Sequence, residues 1–197
     1  VYHEHFSYFS LFTLKKIFEK YDLEIFDVEE IFVHGGSLRL FIKSSKNKEI
    51  TINENVEELL KKEKDYGLQE ISTYLKFQNN VEKSKKNIQE FFLQVKEQKK
   101  KIVCYGAAAK GNTVLNYCGI SRNDIDYVVD ISPHKQGKFM PGTHIPIYSP
   151  EKIKETKPDY IVILAWNLKD EIMEQINFIK DWNGKFVVLI PEVKILK

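Results

Sequence analysis

Apolar residues recur at helical spacing along FTLKKIFEKYDL, with Leu14, Ile17, Phe18 and Tyr21 on one face, which predicts a short amphipathic helix over 12–23. The period then changes from 3.6 to 2. LEIFDVEEIF (23–32) and SLRLFIKS (37–44) alternate apolar and polar positions around Val33, His34, Gly35 and Gly36, so they read as two antiparallel strands. Residues 54–99 are dominated by Lys, Glu, Gln and Asn, with Gly67 as the single glycine and no proline. Leu68, Ile71, Leu75, Val81, Ile88, Phe91, Phe92 and Val95 recur there at mostly helical spacing, which predicts helix with one packed face. A single helix over 68–98 would be about 45 Å long, enough to bridge two domains. The a/d repeat is too irregular to favour a coiled coil.

Beyond residue 100 the pattern takes a βα rhythm: strand 101–106, helix 108–118, strand 125–131, strand 159–165, helix 168–181 and strand 185–190. A compact parallel sheet follows. The stretch 133–159, rich in Pro, Gly, His and Lys, reads as a loop with a short helix at 150–156, and such loops at strand ends carry binding residues.

Composition narrows the function classes. Apolar residues make up 43 % and charged residues 29 %, and no apolar run approaches a membrane span, as expected of a soluble globular chain. A net charge of +2 is too small for a protein whose main task is holding phosphate backbones, so nucleic acid is disfavoured as a partner. Cys104 and Cys118 have neither metal spacing nor the density of a disulfide scaffold, and a reduced, cytoplasmic setting is expected. The opening VYHEHFSYFSLF has no initiating Met and no signal-peptide pattern, and reads as the interior of a longer protein.

In a doubly wound sheet, ligands sit beyond the carboxyl ends of the strands, which directs attention to Gly106–Asn112, Asp130–Lys138, and Trp166 with Asn167. GAAAKG places Gly106 and Gly111 at the outer positions of a dinucleotide fingerprint, but Ala108 replaces the middle glycine that lets backbone approach a pyrophosphate. A standard NAD site is disfavoured, whereas a phosphate at the helix N-terminus remains open. The spacing is also that of a P-loop, yet Asn112 and Thr113 stand where Lys and Ser/Thr belong, which excludes an ATPase loop. Lys110 is a candidate phosphate partner beside the helix dipole. The competing reading is a tight turn with no ligand. Asp130 stands where a ribose-binding acid would sit, or it is a cap. Lys138 is a candidate cation of the following loop. Trp166 is either a stacking ledge or core, and Asn167 is favoured as the N-cap of helix 168–181. The lysines of 83–101 read as a solvated helix face.

Tyr2, His3, Glu4 and His5 crowd four titratable groups together at the start of the chain. As chemistry, His5 would be a general base held by Glu4 or backbone, with Tyr2 donating to an oxygen that gains charge. As a metal site, His3 and His5 lack further ligands, and no metal is expected in this chain; a surface turn is the remaining reading.

Three stretches carry a family resemblance: YHEHFSYFSL with the hairpin GGSLRLF, then YGAAAKGNTVLNYCGI, then VVDISPHKQGKFMPGTHIPI with DYIVILAWN. Together they make the chain resemble the C-terminal half of SAM-dependent C-methyltransferases acting on nucleotide-linked deoxysugars. The resemblance implies an N-terminal zinc-binding module, a central SAM-binding domain of class I methyltransferase type, and a C-terminal Rossmann-like parallel-sheet domain that holds no dinucleotide. It implies that residues 1–50 are the tail of the SAM domain, 51–100 a helical connector, and 101–197 the C-terminal α/β domain. Neither the glycine-rich SAM loop nor the zinc cysteines have a counterpart here, so weak SAM binding by these residues alone is expected. Tyr2, Glu4 and His5 match the family's Y-x-E-H signature and would be its catalytic residues. Gly106, Lys110, Gly111, Asn112, Asp130, Lys138 and Trp166 would serve the nucleotide-diphosphate sugar. Two rivals remain at this point: a non-catalytic α/β module that binds nucleotide-sugars or other anions, and an NAD-dependent oxidoreductase fragment.

Overall fold

The computed structural model describes residues 6–31 and 36–196. The chain divides into two compact units, one ending at Asn79 and the other beginning at Asn80.

The first unit contains α1 (Leu11–Glu19), β1 (Leu23–Ile31), β2 (Ser37–Ser44), α2 (Glu54–Tyr66) and the first turns of α3 (Ile71–Glu97). β1 and β2 pair antiparallel from Leu23 opposite Ser44 to Ile31 opposite Ser37, with a register shift between Ile25 and Asp27. Their inward residues Ile25 and Val28 meet Leu11 of α1 and Val56 and Leu59 of α2 in one small core. The first turn of α1 is tied down from two sides. Ser10 accepts from the Thr13 amide, and the buried carboxylate of Glu63 on α2 accepts from the amides of Leu11 at 2.6 Å and Phe12 at 2.9 Å. A buried carboxylate is tolerated there because it satisfies donors that have no intrahelical partner and faces the positive end of the helix dipole.

Two expectations are corrected here. α1 stops at Glu19, and Asp22 turns the chain into β1 at φ 55°, so Tyr21 lies beyond the helix and is exposed. The helical stretch after residue 54 is also broken in two. Gly67 ends α2 at φ 84°, where the left-handed backbone suits glycine, while the Leu68 amide reaches back to the Glu63 carbonyl at 3.0 Å. The long helix therefore starts at Ile71 and runs 27 residues, or about 40 Å.

The second unit is built on a six-stranded sheet of β3 (Ile102–Tyr105), β4 (Val128–Val129), β5 (Ile147–Tyr148), β6 (Tyr160–Ile163), β7 (Lys185–Val188) and β8 (Lys194–Leu196), in spatial order β5-β4-β3-β6-β7-β8. β8 joins β7 antiparallel and the other pairs are parallel. Alternation along the strands separates two cores. Ile102, Cys104, Val128, Val162 and Val187 face Ile88, Phe91, Phe92 and Val95 of α3 and Leu115 and Cys118 of α4 (Ala109–Cys118). Val103, Tyr105, Val129, Ile161, Ile163 and Phe186 face Ile153 of α5 (Lys152–Thr156), Ile172 of α6 (Lys169–Gln175), Ile176 and Ile179. Helices on both faces explain why the strands are apolar throughout.

The strands and helices differ from expectation in several places, one being β8, which extends the sheet beyond the expected last strand. The strand expected over 125–131 pairs only at Val128–Val129. The loop of 133–159 contributes β5, whose two paired residues are too few to show a period. The helix expected over 168–181 is a 3-10 turn (Trp166–Leu168), then α6, then a second 3-10 stretch (Asn177–Trp182), because Ile176 leaves the helical basin at φ −114°, ψ 31°. Asn167 is consequently no cap: it is exposed in the middle of the 3-10 turn, and Leu168 precedes α6 with no side-chain cap.

Candidate functional site

The strand order turns back on itself at β3: β4 and β5 follow on one side of it, β6 and β7 on the other. The carboxyl ends of β3 and β6 are therefore the switch point at which open α/β sheets take ligands. It is bounded by the turn after β3, which begins at Gly106, and by Ala165 and Trp166 after β6.

Gly106 has φ 92°, and a Cβ there would lie 3.3 Å from the Ala165 Cβ, so both backbone and space call for glycine. Ala108 has φ −92° and ψ 145°, ordinary extended backbone that accommodates a methyl. Gly111 has a packing reason for being glycine. A Cβ on it would stand 2.5 Å from the Leu164 Cβ, so α4 lies as close to the end of β6 as a glycine permits. α4 has no side-chain cap and no acid in its first turn, so no side chain offsets the positive end of its dipole there.

Asp130 ends the strand that pairs with β3, and its side chain is 9 % exposed. Its Oδ2 accepts from the Ala107 amide at 2.7 Å and from Lys135 Nζ at 3.1 Å, and its Oδ1 accepts from the Ser132 amide at 2.9 Å. Lys135 Nζ also donates to the Ala107 carbonyl at 3.0 Å. The two polar groups of one turn residue are thus held by the two members of one ion pair. Asp130 also bears on its surroundings: burial raises the Tyr105 phenol above its ordinary value, and the negative charge of Asp130 adds to that.

The remaining expected site residues fall as follows. Lys110, in the first turn of α4, is half-buried. Asn112 is half-buried, and its Oδ1 is enclosed without a hydrogen-bond partner. Lys138 is exposed, with its backbone pinned by the Lys135 carbonyl and the Ile147 amide. Trp166 packs partly buried against the core on the α6 face. Tyr2, Glu4 and His5, with His3, lie outside the described residues. Among the described residues no three His, Cys, Asp or Glu side chains converge to hold a metal, and no helix is long and apolar enough to cross a membrane. Lys135 was not singled out from the sequence, where one lysine among several in a loop carries no distinguishing signal; its five-residue separation from Asp130 gains meaning only once the turn is built.

The C-methyltransferase NovU of Streptomyces niveus is 37 % identical over 196 residues, covering 100 % of this chain and 46 % of that protein, so the chain spans about half the length of this relative. Among solved structures, UDP-D-quinovosamine 4-dehydrogenase from Vibrio fischeri is similar at 17 % identity and a TM-score of 0.39, over 50 % of this chain and 93 % of that one. So low a score leaves the fold resting on the strand order itself. The family described as the C-methyltransferase C-terminal domain matches residues 32–191. With that match spanning most of its length, the chain belongs to the C-methyltransferase C-terminal domain family.

Proposed function

We propose that this chain is the C-terminal portion of a SAM-dependent enzyme that deprotonates the carbon beside a keto group of a nucleotide-linked deoxysugar and methylates it. Family membership supports the reaction class. The single structural observation supporting an anionic, nucleotide-linked substrate is the turn after β3: glycine-permitted, braced by Asp130 and Lys135, and opening onto the uncapped first turn of α4. In this reading Lys110 and the first-turn amides of α4 take the diphosphate beside Gly106, whose own amide, like those of Ala107 and Ala108, is already bonded within the turn. Asn112, half-buried in the first turns of α4, is assigned to the same ligand. Lys138, in the loop after β4, and Trp166, just after β6, are assigned to the same ligand.

The turn offers S-adenosylmethionine no free carboxylate for its ribose hydroxyls, since both oxygens of Asp130 are already engaged. We place the donor, like the family's zinc, in upstream sequence and assign these residues no part in holding either. What this chain supplies is acid–base chemistry. A carbon beside a carbonyl loses its proton only when the enolate oxygen is stabilised, so His5 would accept the proton, Tyr2 would donate to the oxyanion, and Glu4 would hold His5.

Methyl transfer to a thymidine-diphosphate-linked 4-keto sugar, followed in the full-length protein and in its His5→Ala variant, tests this reading. Loss of the base is expected to lower turnover by roughly 10²- to 10⁴-fold. Unchanged turnover would remove His5 from the chemistry, and no transfer by the unaltered protein would remove the reaction.

A further inference from the structure

We infer that Lys135 is a positioning residue for anion binding, acting through Asp130 rather than on the ligand, and that Asp130 is the brace of the turn rather than a ligand for ribose. The inference rests on the reading of the β3–α4 turn as the seat of the diphosphate. Three observations carry it. Both oxygens of Asp130 are already engaged, by two backbone amides and one ammonium, and its side chain is nearly buried. Lys135 donates to both Asp130 and the Ala107 carbonyl, so it closes the turn around the residue that leads into α4. Finally, a carboxylate at a helix N-terminus opposes the dipole that would attract an anion, and Asp130 is hydrogen-bonded to Ala107, two residues before α4 begins.

The electrostatic conflict defines the role. An unneutralised Asp130 would stabilise the turn and repel a diphosphate at the same time. With the Lys135 ammonium at 3.1 Å, the pair keeps the brace and cancels its field at a distance. The Lys135 side chain is 45 % exposed, so its replacement opens no cavity in the core.

Titration with thymidine diphosphate, read by calorimetry and by the amide resonances of 106–112, tests this with Lys135→Met, Asp130→Asn, the double variant and Lys135→Arg. Lys135→Met is expected to weaken binding about tenfold, a loss that added salt reduces, because Asp130 is then exposed to the anion uncompensated. The double variant is expected to recover to within about threefold of the unaltered protein, since the offending charge is gone. Lys135→Arg, which preserves the charge, is expected to bind normally. A double variant as weak as Lys135→Met would show that the lysine touches the anion itself and would overturn the inference, as would a Lys135→Met variant that binds normally. Weakening by Asp130→Asn alone, with the turn's resonances unmoved, would return Asp130 to the role of ligand. If Lys135→Met unfolds, Lys135→Gln takes its place in the same comparison, alone and combined with Asp130→Asn. Absence of binding by the unaltered chain would instead overturn the seat of the diphosphate, and this inference with it.

Discussion

Asp159 illustrates how a single residue outside the site couples this fold to pH. Burial alone would push its carboxyl upward, yet hydrogen bonds from Lys100 Nζ and the Lys101 amide, each at 2.8 Å, outweigh that and hold it below the usual carboxylate range. A depressed folded value means that the contribution to stability is present above the unfolded value, near pH 4, and is lost as pH falls through the folded value. The Lys100 side chain is half-exposed, so salt screens much of the effect. Asp159→Asn should therefore be less stable than the unaltered chain in denaturant melts at neutral pH, and the gap should close below about pH 4. A gap independent of pH would assign the contact no ionic content. At the same scale, burial raises both thiols, and Cys104 and Cys118 serve as small apolar residues in the core between sheet and helices. Of the residues flagged in the sequence, Asp130 was placed at the right strand end, but its partners lie in two separate turns and no spacing rule connects them.

At the scale of elements, two junctions depend on one residue each. Glu63 joins α2 to the first turn of α1 by two short bonds in a buried setting. Glu63→Ala strands the Leu11 and Phe12 amides and should cost about 1–3 kcal/mol in chemical denaturation. Gly111 joins α4 to the end of β6, and its replacement by alanine forces a methyl against Leu164. Gly111→Ala should cost roughly 1–3 kcal/mol, read as a lowered melting temperature, because helix or strand must shift to admit it. Neither junction was legible beforehand. Gly111 drew attention as half of a fingerprint, and its packing duty emerged only with Leu164 beside it; Glu63 looked like one acid among many on a charged helix. Gly67, by contrast, was visible as the lone glycine of the helical stretch, and its left-handed turn is where that stretch divides.

For the whole molecule, the six-stranded unit has a topological switch point at the ends of β3 and β6, where we propose the diphosphate is held. Adding a nucleoside diphosphate should perturb resonances within 101–197, centred on the turn after β3, while NAD should leave them unmoved because Ala108 keeps a methyl where a dinucleotide pyrophosphate needs glycine. Tight NAD binding would instead restore the oxidoreductase reading. The result separates substrate holding from chemistry, which we assign to Tyr2 and His5.

The sequence by itself determined the local grammar: the antiparallel pair of β1 and β2, the helix-rich middle, the βα rhythm after residue 100, and the glycine turn at the end of its first strand. These depend on period and turn chemistry, which are written in neighbouring residues. The tertiary structure alone decided how long α1 would be, which short segments joined the sheet as β5 and β8, and where the helix after β6 would break. Those outcomes depend on what each segment packs against. It also decided the meaning of the site's own residues, making Gly111 a contact and joining Asp130 to Lys135, since a buried charge is defined by partners that the chain brings from elsewhere.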